Sequence, residues 1–119
     1  MKKCEYELDA TNAALGMRTH GKTKADLLAT LPPRERTARD PKAETLHSIL
    51  DDIYSRKDIA AYPYFHYRGL VCLTKAQGVA VNAPFHAVAD EILACQGKHG
   101  TEKTDALGEC ILAAVERRL

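Results

Sequence analysis

A histidine followed four residues later by an aspartate occurs twice in the sequence, in two similar octets that lie thirty-nine positions apart. On a helix, residues four apart lie on the same flank, so each pair would place an imidazole beside a carboxylate. If the two helices packed antiparallel, the pairs would meet and could bind zinc or another transition metal, as in a metal-dependent hydrolase. This candidate metal set consists of His47, Asp51, His86 and Asp90.

A simpler interpretation is that each histidine forms a hydrogen bond with its own aspartate on the helix surface, which contributes only about 0.3 kcal/mol. Both pairs lie at the edge of an apolar stripe, whereas metal ligands in helical bundles point inward. We therefore expect no metal and no other cofactor. The octets, residues 46–53 and 85–92, are either a true repeat or two amphipathic helices that are similar by chance.

Aromatic side chains are concentrated in residues 62–67, which hold four of the seven Phe and Tyr residues, and an arginine follows directly. Such rings often fill a core, but Tyr, Phe and Arg also concentrate at protein interfaces and stack on single-stranded bases. Among these alternatives we predict a protein-binding surface. Its candidate contact residues are Tyr62, Tyr64, Phe65, His66, Tyr67 and Arg68.

Basic residues are concentrated between positions 18 and 42, where seven face three acidic residues, although the whole chain carries a net charge of only +1. Cations that cluster on one face bind phosphates, so a nucleic-acid-binding regulator is the alternative function. Cations spread over a solvated surface are the simpler interpretation. The candidate phosphate contacts are Lys22, Lys24, Arg34, Arg36 and Arg39.

No sequence motif identifies an enzyme, since the chain has no glycine-rich phosphate loop, nucleophile elbow, H-E-x-x-H or C-x-x-C. Catalytic residues converge in space and not in sequence, so catalysis stays open as an alternative. We expect a small non-catalytic module, such as an adaptor, inhibitor or regulatory subunit, that binds another protein.

With 119 residues, of which 45% are hydrophobic and 28% charged, the chain can form one globular domain with its own core. We expect a single domain over residues 1–119, with a basic helix and connector at 18–42 and a helical hairpin at 82–119. Four cysteines without a C-x-x-C pair suggest reduced thiols and a cytoplasmic protein. Acidic residues interrupt the N-terminal region where a signal peptide would be apolar, and no apolar run could span a membrane.

Helix-start signals predict a mainly α fold, a compact bundle of four or five helices. Thr23 can cap a helix through a box with Asp26. Asp40 followed by Pro41 is the strongest helix start in the chain, and this helix is expected to reach about residue 61. Later caps are predicted at Asn82 and at Thr101 or Thr104, with Pro63 and Gly97 as helix stops.

Two segments leave an α+β fold as the alternative. Residues 4–9 alternate between apolar and acidic side chains, which predicts a short strand. Residues 64–81 fit either a helix closed at Gly78 or a β-hairpin, and we favour the helix because glycine followed by valine suits a helix C-terminal cap.

Overall fold

The computed structural model describes residues 2–34 and 40–118, with side chains from Cys4 onward. Within these ranges the chain is mostly helical and has no strand, which confirms the mainly α prediction. The helices are α1 (Lys2–Thr19), α2 (Lys24–Leu28), α3 (Pro41–Ser55), α4 (Ala61–Ala76), α5 (Phe85–His99) and α6 (Asp105–Glu116).

The predicted strand at residues 4–9 is wrong, because these residues belong to α1. The alternation that suggested a strand ends at Asp9, whereas a helical stripe of Cys4, Leu8, Thr11 and Leu15 continues along the helix. Three members of this stripe, Cys4, Thr11 and Leu15, are buried. The long helical period therefore prevails over the short alternation.

Helix α4 confirms the helical interpretation of residues 64–76 and excludes the hairpin. Helix α3 ends at Ser55, with Arg56 as its C-cap, and is therefore shorter than expected. Pro63 then lies in the first turn of α4 instead of ending a helix, where its missing N–H leaves no bond unmade. Gly78, with a φ of 85°, turns the chain after α4.

The caps of the remaining helices were predicted in part. The Thr23–Asp26 box and the Asp40 cap are both present, and Thr104 caps α6 by accepting a hydrogen bond from the Leu107 N–H at 3.2 Å. Helix α5 starts after Pro84 and not at Asn82, and it passes Gly97 to end at His99.

The predicted apolar stripes of α3, α5 and α6 meet in one core, to which α4 contributes aromatic rings. The Tyr64 ring packs edge-on against Phe85 with centroids 5.0 Å apart. The largest fully buried side chains include Ile49, Ile53, Tyr64, Val88, Ile92, Leu107 and Ile111.

All four cysteines form disulfides, so the expectation of reduced thiols is wrong. Cys4–Cys72 joins α1 to α4, and Cys95–Cys110 joins α5 to α6. Because disulfides persist mainly in oxidising compartments, the cytoplasmic prediction loses the cysteine argument on which it depended. Of the helices described, none has the length and apolar character that crossing a membrane requires.

Removing Cys4–Cys72 should destabilise the protein more than removing Cys95–Cys110. The two bonds span sequence separations of 68 and 15 residues. Loop-closure entropy then assigns them about 4 and about 3 kcal/mol. Urea denaturation of Cys4→Ala/Cys72→Ala and Cys95→Ala/Cys110→Ala against the oxidised wild type measures both losses, and the reverse order would contradict the loop-entropy argument.

Candidate binding cleft

The structure separates the four residues of the predicted metal set. The buried His47 has its Nε2 atom 3.0 Å from the carbonyl oxygen of Pro32. Asp51 instead forms ion pairs with Lys24 and Arg34. Neither side chain of this pair is therefore directed at the second octet.

The second pair is also divided. Asp90 forms an ion pair with Arg56 at 2.9 Å, and the exposed His86 lies at the edge of a cleft described below. Helix α3 packs against α1 and α2, whereas α5 packs against α6 and α4, so the two flanks do not face each other. Over residues 2–34 and 40–118, no cluster of three His, Cys, Asp or Glu side chains could hold a metal.

The aromatic segment is divided between the core and the surface. Tyr64 and Tyr67 are only 1% and 4% exposed, so these two rings are core residues and cannot form an exposed contact surface. Tyr62, Phe65 and His66 are half-buried on another flank of α4. The His66 ring lies beside Gly108 of α6, and burial lowers the pKa of its imidazole.

The predicted phosphate-contacting residues are largely neutralised where the structure describes them. Lys24 lies 2.9 Å from Asp51, and Arg34 contacts both Asp51 and Glu44. Lys22 lines a small basic pocket of about 410 Å³. Arg36 and Arg39 lie outside the described residues, so the nucleic-acid alternative stays a prediction.

An open cleft of about 1170 Å³ lies between α1, the start of α3, the second half of α4 and the connector at residues 77–84. Apolar and charged side chains share its lining. The apolar members include Tyr6, Val71, Val81, Ala83, Pro84 and Phe85, the basic ones are Lys42, Arg68, Lys75 and His86, and the acidic ones are Glu7, Asp40 and Asp52.

Arg68 lies at the floor of this cleft and joins three helices. Its Nε donates to Glu7 Oε2 of α1 at 3.1 Å. Its Nη1 lies 3.2 Å from Asp52 Oδ2 and 3.3 Å from Ser48 Oγ, both on α3. The Tyr64 hydroxyl completes this arrangement, which we call the Arg68 cluster, by donating to Asp52 Oδ2 at 2.7 Å.

The Arg68 cluster is poorly exposed and internally paired. The side chain of Arg68 is 13% exposed, and those of Glu7 and Asp52 are each 21% exposed. Burial raises the pKa of Asp52, although the Tyr64 hydroxyl and the Arg68 charge oppose this by favouring the carboxylate. Burial also raises the pKa of the Tyr64 hydroxyl, which therefore stays protonated and acts as a donor.

The sequence contains a weak signal for this cluster. Ser48 and Asp52 are four residues apart on α3, and so are Tyr64 and Arg68 on α4, which places each pair on one helix flank. Both pairs border an apolar stripe. Glu7 could not have been added, because its segment was predicted to be a strand.

Two lysines lie at the edge of the cleft. Unlike Arg68 at the floor, they form no ion pair with any residue that the structure describes. Lys42 lies over the Tyr6 ring, with Nζ 5.0 Å from the ring centroid. Lys75 is exposed in the last turn of α4. The exposed Asp40 carboxylate also lines the cleft and caps α3 by accepting the N–H groups of Lys42 and Ala43, but it forms no ion pair with either lysine.

Comparison with known proteins assigns no family to the chain. It matches no protein-family model, no curated protein and no solved structure.

Adjacent carboxylates of α3 should give opposite pH dependences of stability. Because the pKa of Asp52 is raised, the folded state keeps this proton to a higher pH than the unfolded chain does. The contribution of Asp52 to the free energy of unfolding therefore falls as pH rises above about 4. For Asp51, partial burial acts to raise the pKa, but Lys24 and Arg34 outweigh it and lower the pKa. Its contribution is present above about pH 4 and is lost as pH falls below that value.

Urea denaturation of wild type, Asp52→Asn and Asp51→Asn across this pH range measures the difference. Relative to wild type, Asp52→Asn should gain stability as pH rises above about 4, and Asp51→Asn should lose it as pH rises toward about 4. Profiles of the same sign would contradict the two assignments.

Proposed function

We propose that this chain is a small non-catalytic binding protein that holds a segment of a partner protein in the cleft between α1, α3, α4 and the 77–84 connector. The proposal is based on one contrast within the cleft. The charged side chains at the floor are paired with one another, whereas the lysines at the edge form no ion pair within the described chain. An adaptor, an inhibitor and a regulatory subunit all need such a surface.

The pairing at the floor supports binding over catalysis. A general acid or base must be able to exchange a proton with a ligand, but the Glu7 and Asp52 carboxylates are engaged by Arg68, and Asp52 also by Tyr64. In the part of the chain that the structure describes, no buried side-chain polar atom lacks a hydrogen-bond partner. These groups hold helices in place and leave the walls and edge for a ligand.

The size and lining of the cleft support a protein segment as the ligand. The cleft is open to solvent and has a volume of about 1170 Å³, which gives room for an extended peptide segment. Apolar side chains with cations at the edge resemble the centre and rim of a protein interface. We therefore propose the cleft, instead of the aromatic segment, as the contact surface. Tyr67 and Arg68 line the cleft but are too little exposed to be contact residues.

The disulfides support an oxidising compartment as the place of this binding. The Cys4–Cys72 disulfide lines the cleft. In this proposal the protein therefore binds its partner in the oxidised form. An oxidising compartment is where such bonds persist, and we expect the partner to be present there.

A photo-crosslinking side chain at His86 tests the proposal, with Leu112 as the matched control. His86 is exposed at the cleft edge, and Leu112 is exposed on α6 and does not line the cleft. Irradiation in the native host should give a protein adduct of defined mass from position 86 and none from position 112.

The other outcomes contradict the proposal. An adduct at position 86 that nuclease removes would favour the nucleic-acid alternative. No adduct at position 86, or the same adduct from both positions, would show that the cleft does not hold a partner protein.

A further inference from the structure

We infer that the partner segment lies in the cleft as an extended strand, paired with the backbone of residues 80–83, and that it directs an acidic side chain at Lys75. This inference rests on the proposed function and specifies the chemistry of its partner. It depends on three features of the 77–84 connector and its surroundings.

The first feature is that residues 79–84 of the connector run without a turn. Residues 79–84 form no helix, turn or bend, and the non-glycine residues all have negative φ. Exposure alternates from Ala80 to Ala83, with positions 80 and 82 exposed, Val81 half-buried and Ala83 buried, which is the period of a strand. Pro84, at φ −62° and ψ 150°, keeps Ala83 out of helical space.

The second feature is that the backbone of this segment is unpaired. Within the described parts of the chain, the N–H and C=O groups of Ala80, Val81 and Asn82 form no hydrogen bond. The segment is nevertheless held in place, because the Tyr67 hydroxyl donates to the carbonyl oxygen of Ala83 at 2.6 Å. A fixed, extended backbone with free hydrogen-bonding groups is the template that strand addition uses.

The third feature is the character of the cleft beside this template. Residues 81–84 form one of its walls, so the edge of the template borders the space in which a peptide would lie. Tyr6 and Val71, which are half-buried, supply apolar contacts for alternate side chains of that peptide. Lys42 and Lys75, which have no carboxylate partner in the described chain, favour an acidic residue in it.

The inference is tested with peptides selected from a displayed random library on the oxidised protein. The enriched peptides should alternate apolar and polar residues and contain Asp or Glu. Lys75→Glu should weaken their binding by about tenfold or more, whereas Lys98→Glu, an exposed lysine of α5 outside the cleft, should not.

Amide hydrogen exchange of the peptide complex then locates the backbone pairing. Because N–H groups of an extended chain point alternately to its two edges, protection should appear at alternate amides, either Ala80 and Asn82 or Val81 and Ala83. Their exchange should slow by about tenfold or more on saturation with peptide.

The possible failures are distinguishable. In the first, a selected peptide shifts the NMR signals of Val71 and His86 and yet leaves the amides of residues 80–83 unprotected from exchange. This result would overturn strand addition and leave cleft binding intact. No peptide whose binding depends on Lys75 would overturn the acidic-strand inference, and no peptide at the cleft would also remove support for the proposed function. Protection that grows with protein concentration without peptide would identify a second copy as the occupant and overturn the inference.

Discussion

A guanidinium that is largely removed from water has to be paired, and this constraint on Arg68 determines how three helices are arranged. Its partners come from α1 and α3, while Arg68 itself belongs to α4. The three helices must therefore stay within hydrogen-bond distance of one side chain. The cleft lies above this point, so its floor cannot change shape without leaving a buried charge uncompensated.

Two further connections fix the walls of the cleft. The Cys4–Cys72 disulfide holds the start of α1 against the second half of α4. On the other side, the hydrogen bond from Tyr67 to Ala83 holds the connector against α4. A ligand that enters a cleft of fixed shape loses less affinity to ordering of the protein, which is the advantage of a preorganised site.

The fold could be predicted from the sequence where apolar stripes and capping residues agree, as in α3, α5 and α6. The predicted strand at residues 4–9 is wrong, because the six-residue alternation there lies within a longer helical stripe. The site was harder to predict. The His47–Asp51 and His86–Asp90 spacings identify neighbours on one helix but not which helices pack together. Pairing of Cys4 with Cys72, and of Glu7 with Arg68, likewise depends on tertiary contacts between distant segments.

If the Arg68 cluster couples the helices around the cleft, a double-mutant cycle of Arg68→Met and Glu7→Gln should show the coupling. These side chains join α4 to α1 across 61 residues of sequence. Denaturation of both single variants and the double variant should give a coupling free energy of about 1–3 kcal/mol. Losses that add within about 0.5 kcal/mol would show that the two side chains are independent and would contradict the account.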